Sequence, residues 1–322
     1  MDQHNSLVGN IDAPHTFHEP FKERLEKITM LGTGAALPEP DRGQSAILIS
    51  LDSGKHYLFD CGEGATRQMV RANVNPADVG VVFLTHLHHD HIGDFPYFVI
   101  SSWMMNRKGS PVLLGPKGTR NFARHLFEDG AFHADFAARS AYPLRQANIE
   151  AVRPDVREIA PGLVYQDDEV KIHALHVDHI PEHICECFGV RFEAEGKVVA
   201  FSGDTKPCDA MVELARDADL MIHECTFPES FIAHRAKTGV GIYAHTSPTE
   251  LGVIAARAGA KSVVATHFGH FDSTSPVLKR AAGHHLPVDL MGPHLMDEVA
   301  ADIRKNYRGP LRLAHDLMRI DL

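Results

Sequence analysis

The feature that most constrains this chain is a continuous apolar run at residues 79–84, followed at once by His86-Leu87-His88-His89-Asp90-His91. The run has the length and β-branched content of a strand buried on both faces. Such a strand ends at a sheet edge, so His86, His88, Asp90 and His91 reach one place as four candidate ligands within six residues. If the segment continues as a strand, His86 and His88 face the same way, while the adjacent Asp90 and His91 point apart and could serve a second ion. Zinc takes imidazole nitrogen and carboxylate oxygen, and a catalytic site leaves one coordination position open for water. A solvated histidine-rich loop is the bland alternative.

Further strand-like segments lie at 28–31, 45–51, 57–59, 170–174, 187–192, 198–201, 220–223 and 262–265, punctuated by Gly, Pro and Asp turns. Helical patterns fall at 65–72, 121–127, 208–216, 248–258, 275–282 and 296–307. Strands lead, helices interleave and the order recurs in both halves, which predicts an α/β protein with two sheets packed together and helices outside. Residues 1–25 are polar and aperiodic and read as an N-terminal extension; residues 26–322 read as one catalytic domain, in which the less regular stretch 130–168 reads as an insertion or lid. The length of 322 residues buries a sizeable core without help from disulfides. The five cysteines form no CxxC pair, and no signal peptide or membrane-length apolar run is seen, which together predict a cytoplasmic protein with reduced thiols.

A two-metal site needs ligands from elsewhere. Asp204, in Phe201-Ser202-Gly203-Asp204-Thr205, follows an apolar strand, and its carboxylate could bridge both ions. His267, in Ala265-Thr266-His267-Phe268-Gly269, likewise follows an apolar strand. A further histidine comes from His173, His176, His179 and His183, of which His179 is preferred. Each of these alone would read as a hydrogen-bonded core or surface residue; their shared place at strand ends is what singles them out.

The segments 31–38, Phe59-Asp60-Cys61-Gly62-Glu63-Gly64, 85–93, 201–205 and 266–269 occur in an order that resembles the metallo-β-lactamase superfamily, in its ribonuclease Z and zinc arylsulfatase branch. The resemblance spans residues 27–270 and implies a four-layer αβ/βα sandwich of two mixed sheets. It also implies two Zn2+ per chain, one on His86, His88 and His179, the other on Asp90, His91 and His267, with Asp204 bridging. Ile222-His223-Glu224-Cys225-Thr226-Phe227 and Tyr243-Ala244-His245-Thr246-Ser247-Pro248 resemble segments in which a Glu orients a His beside the metals. By that likeness His245 is the general acid or a transition-state stabiliser, and Glu224 its partner. Ser247-Pro248-x-Glu250 also reads as a helix start against which His245 could simply pack.

Two cations ~3.5–4 Å apart can hold a bridging hydroxide and polarise a substrate oxygen. Asp90 could orient or accept the water's proton. The expected activity is therefore a dinuclear zinc hydrolase cleaving an ester-like bond: a sulfate ester, phosphodiester, lactone or carboxylic ester. A small-molecule substrate is preferred for four reasons. Residues 95–103 and 111–119 look more like the arylsulfatase-type relatives. No long Gly/Lys-rich arm is present, Gly269-His270-Phe271 replaces the Ser-Arg-Tyr that often follows the last His, and a formal charge of −10 suits a polyanion poorly. Lys117, Arg120 and Arg124 read as a solvated helix face more readily than as a basic patch. Trp103, Met104, Met105, Phe132 and Phe136 could wall an apolar pocket. A ribonuclease Z-like tRNA 3′-processing nuclease is the first alternative. A di-iron redox protein of the same fold is the second, although those proteins usually place Glu where this chain has Asp90. No membrane partner is expected, and the N-terminal arm is compatible with a homodimer.

Overall fold

In a computed structural model the chain is described over residues 28–128, 130–238, 244–282 and 290–322; the N-terminal extension 1–25 lies outside these. The first sheet is built from β1 (Ile28–Gly32), β2 (Ala46–Ser50), β3 (His56–Phe59), β4 (Val79–Phe83), β5 (Val112–Gly115) and β6 (Asp155–Glu158). The second holds β7 (Gly162–Gln166), β8 (Val170–His176), β9 (Phe188–Ala194), β10 (Lys197–Phe201), β11 (Leu220–Glu224), β12 (Val263–Thr266) and β13 (Leu311–Leu313). A last strand, β14 (Met318–Ile320), returns to pair antiparallel with β1. Among the described residues each sheet has seven strands, in the orders β14-β1-β2-β3-β4-β5-β6 and β13-β12-β11-β10-β9-β8-β7. Both are mixed: β3 to β6 run parallel, as do β10 to β13, and the remaining neighbours are antiparallel.

The apolar runs of β2, β3 and β4 are continuous because both of their faces are covered. Tyr57, Phe59, Ile47, Ile49, Val81 and Phe83 point between the sheets, where Phe59 stacks on Phe201 of β10 at 4.5 Å. Their neighbours Leu58, Leu48 and Val82 point outward, onto helices α1 (Ala65–Arg71), α2 (His89–Ile92), α3 (Phe95–Met104), α4 (Thr119–Phe127) and α5 (His133–Ser140), from which Met69, Phe95, Phe98, Phe127 and Phe136 join that second core, whereas α6 (Pro143–Gln146) has no buried residue. Each such side chain, taken out of water, stabilises the fold by about 1.5–3 kcal/mol. The second sheet is covered by α7 (Asp209–Leu214), α8 (Glu229–Thr238), α9 (Pro248–Ala258), α10 (Pro276–Ala282) and α11 (Leu295–Arg304), through residues such as Leu214, Ile254 and Val299.

Several details refine or depart from the expectations set by the sequence. Residues 130–168 are more regular than their pattern suggests: they hold α5, α6 and the outermost strands of both sheets, β6 and β7. The predicted helix at 296–307 is followed by β13 and β14, which complete the two sheets beyond residue 270. Trp103 and Phe136 do not wall a pocket; they meet edge to face in the core outside the first sheet, 6.0 Å apart. Phe132 packs against that core, and Met104 and Met105 are exposed. Arg120 donates to the Val156 carbonyl at 2.7 Å and fastens β6 rather than facing a ligand.

Candidate metal centre

The carboxyl ends of β4, β10, β11 and β12 meet at one rim of the two sheets, where open α/β architectures place their ligands. The chain leaves β4 at Thr85, whose N–H and hydroxyl both donate to the Asp60 carboxylate (2.8 and 3.0–3.1 Å). The strand does not continue through the histidine run. After His88 the chain turns into the short helix α2, so Asp90 and His91 are turned back and buried by helical geometry rather than by strand alternation. Gly62 is required beside that turn, since a side chain there would come within 2.2 Å of the Asp90 carbonyl. Asp204 enters on a turn after β10 in which Gly203 takes a left-handed φ of 56°. His267 itself sits at φ 59°, a conformation costing about 1–3 kcal/mol in a non-glycine residue, of the kind that clusters at functional sites.

Two sets of donors result. His86, His88, His179 and Asp204 offer ligand atoms all within 4.8 Å of one another, and so do Asp90, His91, Asp204 and His267. Asp204 belongs to both: its Oδ2 lies 3.9 Å from His86 Nε2 and 3.6 Å from His179 Nε2, while its Oδ1 lies 3.3 Å from both His91 Nε2 and His267 Nε2. Asp90 Oδ2 is 3.3 Å from His267 Nε2 and 3.7 Å from His91 Nε2. Imidazole nitrogens also converge on one another, His86 Nε2 on His88 Nδ1 at 3.0 Å and His179 Nε2 on His88 Nδ1 at 3.1 Å. Among the described residues no well-aligned hydrogen bond reaches buried Asp204 Oδ1, although two imidazoles stand beside it. Lone pairs gathered in this way around common points, with a buried carboxylate oxygen left over, are what cations satisfy.

The protonation states agree. Burial holds His86 well below its ordinary pKa, and holds His88 and His179 down as well, so all three are in the neutral, metal-binding form at pH 7. Burial opposes charge on His91 too, but Asp204 and Asp60 override it and push its pKa well up. Burial likewise opposes ionisation of Asp204 and Asp90, yet the surrounding histidines hold both carboxyls below their usual range.

The far side of each ring is fixed. His91 Nδ1 donates to Asp60 at 2.7 Å, His267 Nδ1 to the Thr226 hydroxyl at 3.0 Å and His179 Nδ1 to the Ala244 carbonyl at 2.7 Å. Such partners set the tautomer and aim the opposite nitrogen, and losing one typically costs 10–100-fold in metal affinity. Asp60→Ala is therefore expected to weaken metal binding by roughly 10–100-fold in chelator competition; unchanged affinity would show that Asp60 only shapes the loop.

Glu224 ends β11 fully buried. Its Oε1 accepts from His245 Nδ1 at 2.9 Å and from the Thr205 N–H at 2.8 Å, and its Oε2 accepts from Thr226 Oγ1 at 2.8 Å. Burial would strip the proton from His245, but Glu224 beside it raises the pKa to about 9. His245 does not cap the following helix. Ser247 does, in a reciprocal capping box with Glu250, which leaves the His245 ring aimed toward the two groups, 5.1 Å from the His179 ring and 5.9 Å from that of His267. His223 is buried in β11 with its Nδ1 on the Glu224 carbonyl and joins neither group. His176 lies apart, beside Glu182 and Glu186. A cavity of about 320 Å³ opens over the centre, lined also by Glu39, Phe227, Arg235 and His270. Sequence reasoning does not single these out for the site: Phe227 ends one of its motifs and His270 follows another, whereas Arg235 carries no local signal.

Two mixed sheets flanked by helices, with this constellation at their rim, define a metal-dependent hydrolase of the metallo-β-lactamase fold. A family model described as Anti-Pycsar protein Apyc1 matches residues 26–237. Ribonuclease Z of Mycobacterium marinum is 31% identical over 303 residues, 92% of this chain and 98% of that protein. Ribonuclease Z of Methanosarcina acetivorans is 31% identical over 287 residues, covering 79% and 91%. The chain belongs to the family of the Apyc1 model and of these ribonuclease Z relatives. Among solved structures, the metallo-β-lactamase fold protein YhfI of Bacillus subtilis aligns with a TM-score of 0.64 at 19% identity, over 91% of this chain and 97% of that one. The short form of human tRNase Z aligns at 0.62 and 24%, with the same coverage; both likenesses concern the fold. The relatives favour the ribonuclease Z alternative over the small-molecule substrate that the sequence pattern put first, and none supports a small ester. No helix among the described residues is long and apolar enough to cross a membrane.

Proposed function

We propose that this protein is a phosphodiesterase that works with two metal ions, zinc by the chemistry of its donors, and cuts a nucleotide phosphodiester, with RNA as the substrate. The observation that carries the proposal is Asp204, whose two carboxylate oxygens face separate sets of three further donors. His86, His88 and His179 would hold one ion, and Asp90, His91 and His267 the other. Ions held there supply Lewis-acid charge to the developing oxyanion and acidify water. Asp90, kept ionised by the imidazoles around it, is placed to orient or accept the water's proton. His245, kept protonated by Glu224, is placed to give a proton to the leaving oxygen, and Glu224 fixes the tautomer that presents Nε2 to the cleft. RNA is favoured because relatives that carry the name ribonuclease Z match nearly the whole chain.

A second reading, a small nucleotide phosphodiester, has one observation in its favour: Arg235 is the one arginine or lysine among the described residues lining the cleft, in a chain of net charge −10. A panel of precursor tRNA, a dinucleotide, a cyclic mononucleotide, a bis-aryl phosphate, an aryl sulfate, an aryl ester and a lactone, given to the zinc-loaded protein, tests both. Phosphodiesters are expected to be cut at least about 100-fold faster than the other esters, since a pocket built for one charge pattern leaves groups unpaired with another. Preference for the sulfate, ester or lactone would overturn the phosphodiesterase. Cleavage of precursor tRNA with a steep salt dependence supports RNA; its absence beside rapid cleavage of the small diesters decides for the second reading.

A further inference from the structure

Beside the candidate ligands the cleft is lined by Phe227 and Arg235, which the buried Phe231 joins into a ladder of residues four apart. The Phe227 and Phe231 rings stack at 4.9 Å and 3°, and the Arg235 guanidinium carbon lies 4.6 Å from the Phe227 ring centre and 5.7 Å from that of Phe231. Phe227 cannot move far. It follows Thr226, which is tied to His267, and it packs so closely on Gly269 that any side chain there would come within 2.7 Å of the ring. The same ring meets His245, 6.2 Å away and perpendicular. One fixed aromatic thus joins the residue placed as proton donor to a half-buried guanidinium that lines the cleft.

The charge pattern gives this arrangement a purpose. Among the described lining residues, Glu39, Asp90 and Asp204 are carboxylates, and Arg235 is a permanent counter-charge beside the titratable His245. With ions held by the aspartates, the inner end of the cleft takes the scissile phosphodiester. A cation resting on aromatic faces is less hydrated than one on an open surface, so an anion meeting it there gains more than it would in water. Arginine's planar fork also matches phosphate oxygens in pairs, which suits recognition rather than chemistry.

Resting on the phosphodiesterase reading above, we propose that Arg235 determines specificity by holding a second phosphate of the substrate, one nucleotide away from the bond that is cut. The competing explanation is a purely structural clamp that fastens α8 over Phe227.

The two are separated with probes that contain no phosphodiester. The metal-loaded full chain is titrated calorimetrically with adenosine 3′,5′-bisphosphate and with adenosine 5′-monophosphate. The wild type is expected to bind the bisphosphate at least about tenfold more tightly, the scale of one charge-assisted phosphate contact. R235Q should erase that preference while binding the monophosphate within about threefold of wild type, and R235K, which keeps the charge but not the planar fork, should keep only part of it. The decline of bisphosphate affinity with salt should also become shallower in R235Q, because one cation–phosphate contact is gone. Equal binding of the two probes by the wild type overturns the proposal, as does a preference that survives in R235Q. A matched loss for both probes, with a lowered melting temperature in R235Q and R235K alike, makes Arg235 a clamp and overturns it as well. If the wild type cuts no phosphodiester while the Arg235-dependent preference stands, the functional reading fails and the second-phosphate subsite survives. Rapid diester cleavage without that preference has the opposite meaning: the phosphodiesterase stands and the subsite falls.

Discussion

Asp204→Ala is expected to leave at most one metal ion per chain and to lower turnover by at least about 10³-fold, more than the loss of a single oxyanion donor costs. The reasoning is geometric. Each of the two donor sets has three other members, but only Asp204 belongs to both, Oδ1 to one and Oδ2 to the other. Removing it takes a ligand from each ion and the negative charge that lets two cations lie close together. Metal analysis after dialysis and steady-state rates on a phosphodiester measure the two consequences. Two tightly held ions, or near wild-type turnover, in Asp204→Ala would defeat the shared-ligand assignment. Iron in place of zinc in the native protein would revive the redox alternative.

His245→Ala should behave differently. The metals are expected to stay, because His245 stands outside both ligand sets, while kcat falls by about 10²–10⁴. The loss should be largest for substrates with poor leaving groups, which need the proton most. Glu224→Gln supplies the second half of the test. Glu224 raises the His245 pKa to about 9 against the pull of burial, so His245 is a proton donor below that pH and loses the role above it. Cations beside it favour the neutral ring, which places the falling alkaline limb of the rate profile at or below about 9 in the loaded enzyme. With the carboxylate gone, that limb should move to lower pH. A limb that stays in place would assign the proton to another group, and a collapse of metal content in His245→Ala would make His245 a ligand.

Much of the centre is legible in the sequence because its densest part is local. His86, His88, Asp90 and His91 are presented by one strand-to-helix turn, so six residues of sequence contain four donors, even though their pattern suggests a continuing strand. Asp204 and His267 can be picked out only as polar residues at the ends of apolar strands, and His179 only as one of four histidines. Its neighbours differ in surroundings rather than in local pattern: His176 ends β8 beside Glu182 and Glu186, whereas His179 is turned inward by the Ala244 carbonyl. Asp60 lies within a motif of the family, yet its support of His91 across 31 positions leaves no trace in spacing. The edge strands are hard to read for another reason. β6, Asp-Val-Arg-Glu, buries one residue of four, since the last strand of a sheet has a neighbour on one side only.

What the sequence determined on its own was the class of solution: apolar runs too continuous for a one-sided sheet, arranged twice, with clustered donors directly after one of them. Those are consequences of local patterning and of the need to bury strands on both faces. Tertiary structure alone decided that Asp204 turns one oxygen toward each donor set, that Asp60 stands behind His91, and that Phe227 and Arg235 line the cleft. Each of those relations joins side chains from different strands or helices, and their directions are set by sheet register and turn geometry, which no window of sequence contains.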